Sequence, residues 1–149
     1  MMFTALVSTL LLQGTLQMTP QATTSQHFDV AAAYEAPAKK GAVANIVVEF
    51  KKKDPDVNIN EEPAARIKFA PGSPLVAPPP PKSSGEIPDP SKAHYIDLSK
   101  PVRFPVTVAA GASKGLSTVK TTVSYFYCSK RENWCRKGTA EFDLAVVLP

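Results

Sequence analysis

The chain has 149 residues, of which 44% are hydrophobic and 20% are charged; these values are typical of a soluble globular protein of one domain. Fifteen prolines disfavour long helices, and a formal net charge of +4 is too small to indicate a nucleic-acid-binding surface. The sequence has no glycine-rich nucleotide turn and no GxSxG or HExxH motif. We therefore predict no cofactor and no nucleic-acid partner.

The amino-terminal segment has the features of an export signal. Residues 1–28 contain no Lys, Arg, Asp or Glu, and Phe3–Leu12 is an apolar run of the length found in signal-peptide cores. Because this run is too short to cross a bilayer, we predict a signal peptide over residues 1–25 and a periplasmic or secreted mature chain without a membrane span. The sequence is compatible with cleavage near Ala22 and with cleavage within Ala31–Ala33. The alternative for the amino-terminal segment is a buried strand or helix.

The rest of the chain predicts a flexible lead-in followed by one β-domain. Residues 26–40 show little hydrophobic periodicity, so we expect a lead-in there. Beyond it, short runs alternate apolar and polar residues, which is typical of half-buried strands. A proline-rich connection over residues 71–90, with Pro78–Pro81 in a row, favours an extended and exposed conformation. The domain is therefore predicted to span residues 41–149.

The alternating runs predict an all-β fold. Pro105 lies inside one of them and favours an edge position or a bulge there. Because no amphipathic helix of any length accompanies the strands, we expect an immunoglobulin-like antiparallel β-sandwich of about seven strands, present as a monomer. The seven runs are residues 43–50, 57–60, 65–69, 94–98, 102–108, 119–128 and 140–148.

The two cysteines flank a loop beside the most strand-prone stretch of the chain. Six residues separate Cys128 from Cys135, and a hairpin can bring cysteines with this spacing into disulfide geometry. Cations near the pair favour the reactive thiolate, and Tyr125, Tyr127 and Trp134 form a candidate docking surface. A purely structural hairpin disulfide explains the same pattern, so both interpretations stay open. The cations are Lys130, Arg131, Arg136 and Lys137.

A metal site is not predicted. Two cysteines exclude a four-cysteine zinc site, and further ligands would have to come from His27 and His94. One of these histidines lies in the expected lead-in and the other lies beside the proline-rich connection. We interpret both as surface residues.

Three segments, taken in chain order, resemble segments of a known family. Residues 56–69 are similar to its strand-turn segment of the form G-x-H-I-N-x-x-x-P, and residues 102–108 are similar to its P-x-x-V-P-V strand. Residues 125–128 read Tyr-Phe-Tyr-Cys and precede a short loop, a second cysteine and a closing strand, which resembles its YxYC hairpin. The family is the N-terminal domain of the thiol:disulfide interchange protein DsbD, and the resemblance covers roughly residues 40–149.

The resemblance implies an immunoglobulin-like sandwich in which Cys128 and Cys135 take electrons from a membrane partner and pass them to periplasmic disulfide proteins. The first functional hypothesis is therefore an exported thiol–disulfide exchange domain with a thioredoxin-like or other thiol–disulfide protein as its partner. The alternative is a non-catalytic secreted binding or accessory module whose disulfide only pins the hairpin. The sequence does not indicate which of the two sulfurs would be attacked, and it does not identify the electron source.

Overall fold

The computed structural model describes residues 20–37, 43–79, 82 and 86–149. Within these residues the chain forms nine β-strands and one short 3-10 turn, Pro90–Lys92. The predicted all-β antiparallel sandwich is confirmed, with more strands than the expected seven. The strands are β1 Gln21–Thr24, β2 Phe28–Glu35, β3 Ala44–Lys52, β4 Val57–Ile59, β5 Arg66–Phe69, β6 Leu75–Val76, β7 Val102–Val108, β8 Gly115–Ser129 and β9 Trp134–Leu148.

Two antiparallel sheets enclose the core. The first has the strand order β1-β2-β3-β7-β6. The second is built on the long strand β8, which pairs with β9 along one edge and with β4 and then β5 along the other. Alternate side chains of both sheets point inward and form one continuous cluster of buried apolar residues. The β8–β9 hairpin is therefore anchored in the core along most of its length.

Tyr125 is the largest of the fully buried side chains. It is 2% exposed, and its ring makes edge-on contacts with Phe28 and Phe50 at centroid distances of 5.9 and 5.1 Å. Gly138 lies directly opposite on β9, and a Cβ atom there would lie 2.5 Å from Tyr125 Cζ. The glycine therefore leaves the space that the tyrosine ring fills.

The predicted lead-in over residues 26–40 is wrong where it covers β2. Phe28, Val30, Ala32 and Tyr34 are buried in the core, and β2 pairs with β3 over its whole length. The sequence of β2 does place apolar residues at every second position, but the pattern includes three consecutive alanines, which have a weak strand preference. The β-domain therefore begins well before residue 41.

The predicted signal peptide falls mostly on residues 1–19, which lie outside the described residues, and it stays a prediction. β1 nevertheless belongs to the fold, because it pairs with β2 and the backbone N–H of Asp143 donates to Gln21 Oε1 at 2.8 Å. Cleavage near Ala22 would shorten β1, whereas cleavage within Ala31–Ala33 would cut through β2.

The proline-rich connection is not extended and exposed throughout. Leu75 is buried, and β6 pairs with the end of β7. Pro80 and Pro81 lie outside the described residues.

Pro105 is exposed and lies beyond the part of β7 that β6 covers, which agrees with the predicted edge position. The predicted strand over residues 94–98 is reduced to one isolated bridge between Tyr95 and Asn60.

Candidate functional site

The two cysteines form a disulfide across the β8–β9 hairpin. Cys128 and Cys135 are directly opposite each other in the ladder, with their Cα atoms 4.0 Å apart. Directly opposed residues of an antiparallel pair place their side chains on the same face of the sheet. The bridge therefore links neighbouring strands near the hairpin tip and spans neither the core nor the two sheets.

The hairpin tip is held by local hydrogen bonds. The backbone N–H of Glu132 donates to Ser129 Oγ at 3.1 Å, and Trp134 Nε1 donates to Glu132 Oε2 at 2.8 Å. Asn133 has a positive φ of 57°, a conformation that asparagine tolerates better than most residues. These contacts fix the turn that brings β9 back beside β8.

The two sulfur-bearing residues differ in exposure. Cys128 is fully buried at 0% exposure, whereas Cys135 is only half-buried. The difference follows from the topology. Cys128 lies on β8, which has a neighbouring strand on both sides: β9 on one side and β4 on the other, where Asn58 pairs with Cys128. Within the described chain, β8 is the only strand with which β9 forms a ladder, so Cys135 lies on a sheet edge. Cys135 is therefore the more exposed of the two cysteine residues.

Asn60 is the polar side chain next to the buried sulfur. Its Oδ1 lies 3.0 Å from Cys128 Sγ, and the residue is 1% exposed. Its backbone N–H donates to the carbonyl of Phe126 at 2.8 Å, so Asn60 extends the pairing of β4 with β8. The amide nitrogen Nδ2 is buried and has no hydrogen-bond partner in the described part of the chain.

The segment that contains Tyr95 lies beside residues 59–61, at the end of β4, and pairs with them. The N–H of Ile96 donates to the carbonyl of Ile59 at 3.0 Å, and the N–H of Glu61 donates to the carbonyl of His94 at 2.8 Å. Lys130 places its Nζ 5.0 Å from the centre of the Tyr95 ring. Burial raises the pKa of Tyr95, so this phenol stays neutral at physiological pH.

The predicted docking residues do not form one surface with the disulfide. Tyr125 belongs to the core and is too buried to contact a partner; its burial also raises the pKa of its hydroxyl. Tyr127 and Trp134 are half-buried and pack edge-on at 5.7 Å. Because successive side chains of a strand alternate between faces, Tyr125 and Tyr127 lie on the face opposite to Cys128. A docking role for Tyr127 and Trp134 therefore stays a prediction for the other side of the hairpin.

His27, predicted from the sequence to be a surface residue, is instead a buried member of this aromatic cluster. It is 8% exposed, and its ring lies 5.5 Å from Tyr127 and 5.4 Å from Trp134. Its Nδ1 is 3.7 Å from a carboxylate oxygen of Asp54. No local pattern marks His27 as buried, because its neighbours on the other side come from a hairpin about a hundred residues later in the chain.

The cations near the cysteines interact with other groups. Arg136 lies over the Trp134 ring at 4.2 Å, and Arg131 forms an ion pair with Asp56 at 3.1 Å. Both cations are exposed, so their effect on the sulfurs is screened by water. Activation of the pair by adjacent positive charge therefore has less support in the structure than in the sequence.

A cleft of about 660 Å³ lies beside β5 and β6. Its apolar lining includes Phe69, Phe104 and Phe126, and Lys68 and Lys137 lie at its wall. Phe126 is two residues before Cys128 and on the same face of β8. The cleft therefore lies close to the hairpin that carries the disulfide.

The described residues contain no helix that is long and apolar enough to cross a membrane. The same residues hold no group of three or more His, Cys, Asp or Glu side chains placed to bind a metal ion.

Comparisons with models of known protein families, with curated proteins and with solved structures find no significant match to this chain.

Proposed function

We propose that this chain is an exported thiol–disulfide exchange protein and that Cys128 and Cys135 are its redox pair. The observation that carries the proposal is the difference in exposure across one disulfide, with Cys135 half-buried on an edge strand and Cys128 fully buried beside it. Exchange needs one sulfur that a partner thiolate can reach and a second sulfur that leaves as a thiolate when the bridge opens. The resemblance of three segments to the N-terminal domain of DsbD adds support.

The proposed exchange proceeds in two balanced steps. A thiolate of a dithiol partner attacks Cys135 Sγ, which forms a mixed disulfide and releases Cys128 as a thiolate. The partner's second thiolate then attacks its own sulfur in that mixed disulfide, which releases Cys135. Two electrons pass from the partner to this protein, the two released thiolates take up the protons of the dithiol, and the partner leaves as a disulfide. The reverse sequence would oxidise this protein.

The fold supports an opening of the bridge without unfolding. The disulfide closes a ring of eight residues, which constrains the unfolded chain by about 2.5 kcal/mol. The core is formed by both sheets and includes Tyr125, Phe28 and Phe50 away from the sulfurs. A folded domain has a free energy of unfolding of about 5–15 kcal/mol, so we expect the reduced protein to keep its fold.

The alternative is a secreted binding module with a structural disulfide. The cleft beside β5 and β6 favours it, because a concave site lined by both apolar and polar groups is a candidate for binding a small ligand. In that case the disulfide would only hold the hairpin next to the cleft. The two functions differ in whether a partner dithiol reduces the bridge.

The test is reduction of the purified oxidised protein by reduced thioredoxin. Samples are quenched with acid, their free thiols are labelled with a maleimide-polyethylene glycol reagent, and the labelled fraction is read on a gel. We expect rapid reduction by thioredoxin, at least about tenfold faster per thiolate than by glutathione, because the accessible Cys135 can dock in a dithiol active site.

A single-cysteine partner supplies the matched control. Thioredoxin with its second active-site cysteine replaced by serine can attack but cannot complete the second step, so it should accumulate a mixed disulfide that maps to Cys135. A bridge that stays oxidised with both forms of thioredoxin, in a protein whose circular dichroism is that of a folded β-protein, would support the binding module instead.

A further inference from the structure

The chemistry of the buried sulfur depends on the residue that faces it. In the disulfide, Cys128 Sγ carries no proton, so it can act only as a weak acceptor. The atom 3.0 Å away is nevertheless a carbonyl oxygen, Asn60 Oδ1, while the donor Nδ2 is buried without a partner in the described residues. A buried amide donor without a partner costs free energy. Whichever way the amide is turned, the sulfur of the closed bridge offers Asn60 no donor and only a weak acceptor.

We infer that Asn60 stabilises the Cys128 thiolate that is released when the bridge opens. Rotation of the side-chain amide by about 180° exchanges Oδ1 and Nδ2, two groups of nearly the same size. The Nδ2–H group then donates to the thiolate, which is a stronger acceptor than a disulfide sulfur. If the thiolate takes up a proton, the unrotated Oδ1 accepts the S–H group instead. One amide thus serves both protonation states without a change in its own charge.

The step affected is the departure of Cys128 as Cys135 is attacked, so the inference rests on the proposed function for its role. Thiolates with a lower pKa leave faster in thiol–disulfide exchange. Burial alone would raise the pKa of the Cys128 thiol and slow its departure. A donor at the position of Asn60 opposes this effect of burial, and it does so without a cation close to the sulfur.

The test uses full-length protein in which Cys135→Ser leaves Cys128 as the free thiol. The pKa of that thiol is measured from the thiolate absorbance near 240 nm as the pH is raised. Adding Asn60→Leu should raise the pKa by about one unit, which is a tenfold loss of thiolate at a given pH below both pKa values. In the protein with both cysteines, Asn60→Leu should also slow reduction by dithiothreitol severalfold.

The matched control is Asn58→Leu. Asn58 is also on β4, lies directly opposite Cys128 in the ladder and is half-buried, but its amide contacts Lys52 Nζ. This variant should leave the pKa of Cys128 unchanged. Equal shifts from Asn58→Leu and Asn60→Leu would show that distortion of β4 is the cause, and would overturn the inference.

A second variant covers the case in which Asn60→Leu does not fold. Asn60→Asp keeps the shape of the side chain, removes the donor and adds a negative charge beside the sulfur, so it should raise the pKa of Cys128 as well. An unchanged pKa in a folded Asn60 variant would overturn the inference. Because the pKa is measured without any partner, these outcomes are separate from the thioredoxin experiment, which tests the proposed function.

Discussion

Replacement of Phe28 by alanine should lower the free energy of unfolding by about 3–5 kcal/mol, the range for removal of a fully buried phenylalanine. Phe28 has 0% exposure and makes edge-on ring contacts with Phe50, Tyr125 and Tyr127. It thus joins β2 to the strand that carries Cys128. The measurement is urea denaturation followed by circular dichroism.

The control for this prediction is Ala31→Ser, a small change at a half-buried position on the other face of β2, which should shift the urea midpoint little. A protein truncated to start at residue 41 should not fold, because it lacks the four buried side chains of β2. If Phe28→Ala has the wild-type midpoint, or if the truncated protein unfolds cooperatively, then β2 is not part of the folded domain.

The second large effect is expected from the two single-cysteine variants. In Cys128→Ser the remaining thiol is on the accessible edge strand, whereas in Cys135→Ser it is buried with 0% exposure. Thiol–disulfide exchange requires access to the sulfur. With the aromatic disulfide reagent dithiobis-nitrobenzoate at pH 8, Cys128→Ser should react at least about tenfold faster than Cys135→Ser, as measured by thionitrobenzoate release.

Urea-unfolded samples of both variants provide the control, and there the two rates should become similar because the fold no longer hides Cys128. Faster reaction of Cys135→Ser in the folded state would make Cys128 the attacked sulfur. In that case Cys128 and Cys135 exchange their roles as the attacked sulfur and the leaving sulfur in the proposed steps.

The strands that could be predicted from the sequence are those that carry β-branched and aromatic residues at period two. β3, β7, β8 and β9 have this pattern because one of their faces lines the core. β2 has the same periodicity, but its alanines give a weak strand signal. β6 has only two residues, which is too short for any pattern, and its position depends on pairing with β7.

The site was predictable only in its covalent part. The spacing of Cys128 and Cys135 predicts a hairpin disulfide because the two residues are close in sequence. The burial of Cys128 and its contact with Asn60 depend on the pairing of β4 with β8, across 68 positions of the chain. No local pattern specifies such a pairing, so the difference between the two sulfurs became visible only in the fold.

The reduction potential of the Cys128–Cys135 bridge is the most direct test of the proposed exchange function. Protein is equilibrated in dithiothreitol buffers of defined ratio, quenched with acid, and scored for free thiols by alkylation and mass. We predict a potential above about −300 mV; a dithiol poised at the thioredoxin potential of about −270 mV reduces about a tenth of the bridge at that limit, and half of it if the bridge has the same potential as thioredoxin. A potential well below about −300 mV, the range of structural disulfides, would contradict the exchange function.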